Sequence, residues 1–167
     1  MVSGGELYRA LQAGFTPGEI VFGGVGKTEG ELRDAVEAGI RLVNVESESE
    51  LRLLDQVAGQ CGRRAAVALR VNPEITVENP HAYIRTGEKG HKFGIPYDEG
   101  LAAARLAASL PNLDLLGLDM HVGSQLSQLE AYVRGLERMT ALLDAARAHG
   151  ISGIRYLDIG GGLAVPY

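Results

Sequence analysis

Amphipathic helices and short apolar runs alternate along the whole chain, and few folds accept that alternation. Ser/Thr-x-x-Glu occurs four times where a helix should begin: Ser3 with Glu6, Thr28 with Glu31, Ser47 with Glu50, and Ser127 with Glu130. In each, the hydroxyl accepts from the third amide while the glutamate reaches back to the cap amide. Apolar residues follow at helical spacing, as in Leu7/Leu11, Leu32/Val36, Leu51/Leu54 and Leu136/Leu143, and glycines at 14, 39, 62 and 150 suit the helix exits. Between the helices lie Ile20 to Phe22, Leu42 to Val45, Ala65 to Val71, Leu113 to Met120 and Ile154 to Ile159. These runs are continuous rather than alternating, as strands covered on both faces must be. The order predicts an α/β protein with a parallel sheet, right-handed crossovers and ligand chemistry at the carboxyl ends of the strands.

Two architectures satisfy this order, an open doubly wound sheet and a β/α barrel. With 167 residues the length favours the open sheet, since a barrel takes about 250. Against that, Met1-Val2-Ser3 reads as the tail of a strand, and the chain closes on a glycine loop with no helix behind it. Both ends look cut from something longer. The chain reads as one domain without a linker or low-complexity segment. A net charge of −5 and the lack of a Lys/Arg cluster argue against nucleic acid. No apolar run approaches the roughly 20 residues of a membrane span, and the N-terminus lacks a leader pattern, so a cytoplasmic protein is expected. The single cysteine, Cys61, reads as structural.

Candidate sites fall at the strand ends. The last run stops at Gly160-Gly161-Gly162, and glycines there allow backbone N–H groups to converge on an anion. Val21 to Thr28 resembles a phosphate-binding P-loop, and Leu115 to Asp119 an apolar strand ending in a magnesium-holding aspartate. The first glycine of the P-loop pattern, however, falls on Val21. A long excursion from Asn72 to about Tyr97 contains His81, His91 and Lys92-Phe93-Gly94. After the fourth run comes Asp119-Met120-His121-Val122-Gly123-Ser124. By residue type, His121 suits a metal ligand, an acid/base, a ring for stacking or a satisfied structural histidine. Asp119 and His121 share a face, but two ligands without a third make no metal site. Ser124 is placed to meet the same anion as the glycine loop.

Taken together, Ser3-Gly4-Gly5-Glu6, Gly24-Val25-Gly26-Lys27-Thr28, Asn44-Val45-Glu46-Ser47, Arg70-Val71-Asn72-Pro73, Lys92-Phe93-Gly94, His121-Val122-Gly123-Ser124-Gln125 and Leu157-Asp158-Ile159-Gly160-Gly161-Gly162 form an ordered set. The set resembles the barrel domain of the fold-type III pyridoxal-phosphate decarboxylases, most of all their diaminopimelate branch, relatives of alanine racemase. The resemblance implies a partial (β/α)8 barrel, roughly strands 2 to 7, with residues 1–167 as a single incomplete cofactor-binding domain lacking the family's C-terminal β-domain. It implies pyridoxal 5′-phosphate as cofactor, with its phosphate on Gly160, Gly161 and Gly162, Ser124 beside it, the His121 ring stacked on the pyridine and Arg70 behind it. It implies decarboxylation of meso-diaminopimelate to L-lysine and CO2 by a homodimeric parent enzyme acting on a small amino acid.

Two departures qualify the resemblance. Ala164 stands where the family often continues with glycine. The family's cofactor-bearing lysine sits in a Tyr-Ala-x-Lys context, and none of Lys27, Lys89 and Lys92 does. The glutamate that pairs with the pyridine nitrogen and the catalytic cysteine also have no counterpart, so no catalytic residue is assigned and the isolated chain is expected to be inactive. Two other readings stand beside this one: a P-loop-like nucleotide-binding protein using Gly23 to Thr28, and a non-catalytic barrel remnant that binds a partner through its open edges.

Overall fold

The computed structural model describes residues 1–75, 93–126 and 129–165. Among the described residues five helices, α1 (Gly4–Gln12), α2 (Glu29–Ala38), α3 (Glu48–Gln60), α4 (Gly100–Ser109) and α5 (Glu130–Ala148), accompany strands β1 (Val21–Phe22), β2 (Leu42–Val45), β3 (Ala65–Asn72), β4 (Ile95–Pro96), β5 (Leu113–Asp119) and β6 (Tyr156–Asp158). All pairings are parallel, in the order β1-β2-β3-β5-β6, with β4 attached to the end of β3. Along this path the strands follow one another in chain order. Right-handed crossovers then all step the same way and keep the helices on one face, whereas a doubly wound sheet reverses direction. The sheet is therefore an arc of a β/α barrel, and the open-sheet alternative suggested by chain length is set aside.

The caps follow the sequence in part. At Thr28 both halves of the box form: Glu31 N–H donates to the Thr28 hydroxyl and Thr28 N–H to Glu31 Oε2. Ser3 and Ser47 also cap α1 and α3, but their glutamates turn to other donors, Glu6 to the Val2 amide and Glu50 to the Glu46 amide. The fourth box is corrected. Helix α5 begins at Glu130 behind Leu129, without a side-chain cap, so Glu130 opens the helix instead of occupying its third position; Ser127 lies outside the described residues. His81, Lys89, His91 and Lys92 also lie outside them.

One face of the sheet is apolar. Val43 and Val45, Val67, Leu69 and Val71, and Leu113, Leu115, Leu118 and Met120 join the helix residues Leu32, Leu51, Leu54, Met139 and Leu142 in one buried core. Successive strand residues point to opposite faces. Asn44 and Glu46, Arg70 and Asn72, Asp119 and His121, and Asp158 are therefore turned to the concave side, gathered at the carboxyl ends. A register shift makes this possible. Val67 pairs with Leu115 but Ala68 with Gly117, leaving Leu116 as an extra residue in β5. The bulge inverts the facing of everything after it, which brings Asp119 and His121 inward.

Candidate functional site

The P-loop reading fails at Lys27. Its ammonium donates to Gly24 O (2.7 Å), Asn44 O (2.7 Å) and Glu50 Oε1 (2.6 Å), and its side chain is 1% exposed. An ammonium has three donors, and all three are used inside the protein. The Gly23 to Thr28 segment is thus a turn locked to β2 and α3 by a buried cation, with Thr28 serving as a helix cap rather than a metal ligand.

The 160–162 loop and the segment after β5 meet. A Cβ at Gly160 would lie 2.6 Å from Met120 O and 2.8 Å from His121 Nδ1; at Gly162 it would lie 1.9 Å from Gly123 O and 3.1 Å from Ser124 Cα. Only glycine permits so close an approach, and both residues also have positive φ, +70° and +94°. At Gly161 nothing among the described residues stands within 4 Å of the same position, so the middle of the loop is open on that side. The sequence-predicted residues His121, Ser124, Gly160, Gly161 and Gly162 are therefore neighbours in a single cradle. The Ala164 amide donates to Leu126 O (3.0 Å), so it is engaged within the chain and is not an anion donor.

Arg70 approaches the same region from β3, paired in register with Asp119. Its guanidinium donates to Glu46 Oε1 at 2.7 Å and lies 5.9 Å from the centre of the Phe93 ring. Burial, with the Arg70 charge second, holds the His121 imidazole below its ordinary pKa. The ring is accordingly neutral at pH 7, a flat, weakly solvated face suited to covering another aromatic ring.

Three polar groups that sequence reasoning did not assign complete the floor. Asn44 Nδ2 donates to Asp158 Oδ2 at 3.1 Å, linking β2 to β6. Asn44 Oδ1 and Glu46 Oε2 are buried acceptors without a donor among the described residues. Such atoms cost free energy unless something donates to them, so this floor is built to receive a donor group. The detectable signal was polar residues at i, i+2 at the carboxyl end of an apolar run, as in Asn44/Glu46 and Arg70/Asn72.

Burial, then repulsion from Asp158, raises the Asp119 carboxyl from 3.8 to about 7, against the opposing attraction of Arg70. The folded state thus binds a proton that the unfolded chain releases near pH 4. Between about pH 4 and pH 7 the folded form carries this extra proton, so the contribution of Asp119 to stability is fully present below the window and is lost as pH rises through it. Asp119→Asn is expected to remove that slope and to exceed the wild-type stability at pH 8 by about 4 kcal/mol. Urea unfolding at pH 5 and pH 8 measures it; equal slopes in both proteins would refute the assignment.

The pyridoxal-dependent decarboxylase pyridoxal-binding domain matches residues 1–167. The diaminopimelate decarboxylases of Vibrio cholerae and Pseudomonas aeruginosa are 49% and 50% identical over 167 residues, all of this chain and 40% of each relative. A crystal structure of diaminopimelate decarboxylase from Helicobacter pylori complexed with L-lysine superposes with a TM-score of 0.93 at 38% identity, over 98% of this chain and 41% of that one. The chain spans about 40% of the length of the curated relatives it matches.

Proposed function

The chain belongs to the pyridoxal-dependent decarboxylases, and from that premise we propose that it is the cofactor-holding domain of an enzyme converting meso-diaminopimelate to L-lysine and CO2. The observation that carries the cofactor assignment is the cradle itself, where a Cβ at Gly160 or Gly162 would collide with the 120–123 backbone. A closely packed glycine turn with exposed amides fits a phosphate. Ser124 and the loop would hold that phosphate, the neutral His121 ring would cover the pyridine face, and the Arg70–Glu46 pair would support the concave side. When bound, pyridoxal phosphate supplies an electron sink for the bond that breaks as the carboxylate leaves. The contribution of these residues is to bind, to orient and to shield the ring from water.

The substrate follows from the relatives, named diaminopimelate decarboxylases at 49% and 50% identity, and from the structural neighbour carrying L-lysine. A homodimeric, cytoplasmic parent enzyme is part of the same reading; no helix among the described residues is long and apolar enough to cross a membrane.

Two experiments test it. Titrating the chain with pyridoxal 5′-phosphate should give a saturable circular dichroism band, and His121→Ala should weaken binding by about tenfold, the value of one good aromatic contact. Grafting residues 1–167 in place of the matching domain of the Vibrio cholerae relative should yield lysine from meso-diaminopimelate. A chimera that loads cofactor yet prefers ornithine or arginine would refute the substrate assignment.

A further inference from the structure

We infer that Asp158 and Tyr132 are positioning residues that shape the glycine loop, one by withdrawing an amide from the anion and the other by aiming an amide toward it. The inference rests on the cofactor reading above. Asp158 uses every oxygen it has. Oδ1 accepts from Gly160 N–H at 2.9 Å, Oδ2 from Asn44 Nδ2 at 3.1 Å, and the main-chain oxygen from Met120 N–H at 3.0 Å. The first is an aspartate turn closing on the residue two ahead, and it fixes Gly160 at its positive φ. The Gly160 amide is therefore not an anion donor, although it is the first glycine of the motif.

Tyr132 works on the next peptide. Its hydroxyl, carried on α5, donates to Gly161 O at 2.8 Å. In a trans peptide the C=O and the following N–H point in opposite directions, and no peptide here is cis. Holding Gly161 O against α5 thus turns Gly162 N–H the other way. Leu126 N–H does the same to the following peptide by donating to Gly162 O at 2.9 Å. Among the described residues neither Gly161 N–H nor Gly162 N–H donates to anything in the chain. Two amides are left without an acceptor among the described residues, and two of the three loop carbonyls, Gly161 O and Gly162 O, which would repel a phosphate, are held by donors.

Asn44 extends the control to the far side of the sheet. Its amide is the one donor from β2 to the Asp158 carboxylate among the described residues, so the loop is referenced to β2, and Glu46, which accepts from Arg70, directly follows that strand. Combining Asn44→Asp with Asp158→Asn would preserve this bond with its direction reversed. The amide introduced at position 158 would still accept from Gly160 N–H through its carbonyl oxygen, and its nitrogen would donate to the carboxylate introduced at position 44.

The test is phosphate affinity, read by 31P NMR with inorganic phosphate and by circular dichroism with pyridoxal 5′-phosphate, with phosphate-free pyridoxal as control. Tyr132→Phe and Asp158→Ala should each weaken phosphate and cofactor binding by about tenfold and leave pyridoxal affinity unmoved. Asn44→Asp with Asp158→Asn should retain most of what Asp158→Ala loses. Tyr132→Phe keeps the buried ring and so keeps the test if Asp158→Ala does not fold. Wild-type phosphate affinity in both Tyr132→Phe and Asp158→Ala, or equal losses for pyridoxal, would overturn the inference while leaving the cofactor reading. A wild-type chain that binds neither phosphate nor the cofactor would overturn the cofactor reading and this inference with it.

Discussion

Gly162→Ala is expected to abolish measurable phosphate binding and to destabilise the chain by about 2 to 5 kcal/mol, the sum of a left-handed alanine and an overpacked contact. A methyl at this position meets Gly123 O at 1.9 Å, well inside van der Waals contact. The loop would have to move off the segment that carries His121 and Ser124, so binding and stability fall together. Gly160→Ala should behave alike, with Met120 O at 2.6 Å. Gly161→Ala is the control. Its Cβ meets nothing within 4 Å among the described residues, and stability should change by less than about 1 kcal/mol. Urea unfolding and phosphate titration of the three variants decide the matter; equal tolerance at 161 and 162 would contradict the packing described.

The second large effect is expected at Lys27. Lys27→Met keeps the length of the side chain but strands Glu50, whose side chain is 11% exposed, and leaves Gly24 O and Asn44 O without their donor. Breaking a buried pair from one side costs about 3 to 5 kcal/mol, mostly from the charge left behind. Adding Glu50→Leu should return part of that loss, because two apolar partners leave no stranded charge. No magnesium-dependent ATP affinity is expected in any of these proteins. ATP binding by the wild type that disappears in Lys27→Met at unchanged stability would reinstate the nucleotide reading.

Much of this is legible in the residues. Strand β2 falls at the bounds its apolar run predicts, and β3 and β5 within one residue of theirs, because continuous apolar runs between capped helices have few other uses. The short β4 leaves no such trace: two residues, one of them proline, carry no periodicity. The capping boxes are half right, since the hydroxyl's partner is local whereas the glutamate is free to choose. Glu50 is the clearest case, where a buried ammonium from residue 27 and the Glu46 amide take the carboxylate instead. The P-loop likeness misleads for a related reason, because a lysine after glycines looks the same whether its charge points outward or is sealed beneath the turn.

The amino-acid sequence alone determined the alternation of elements, the parallel sheet and the glycine-rich strand end, all of which follow from local periodicity and backbone freedom. It could not locate the bulge at Leu116, for the middle of that run, Leu115 to Leu118, has no polar side chain to show which side each residue takes. Tertiary structure settled that point, and with it the inward facing of Asp119 and His121. Local periodicity left barrel and open sheet unresolved; the family resemblance of the ordered motifs implied the barrel, and the observed strand order, which depends on pairings between distant residues, bears it out. The partners of Lys27 and Asp158 belong to the same class: Asn44 and Asp158 are separated by 114 residues, and only the curvature of the sheet brings their side chains within one hydrogen bond.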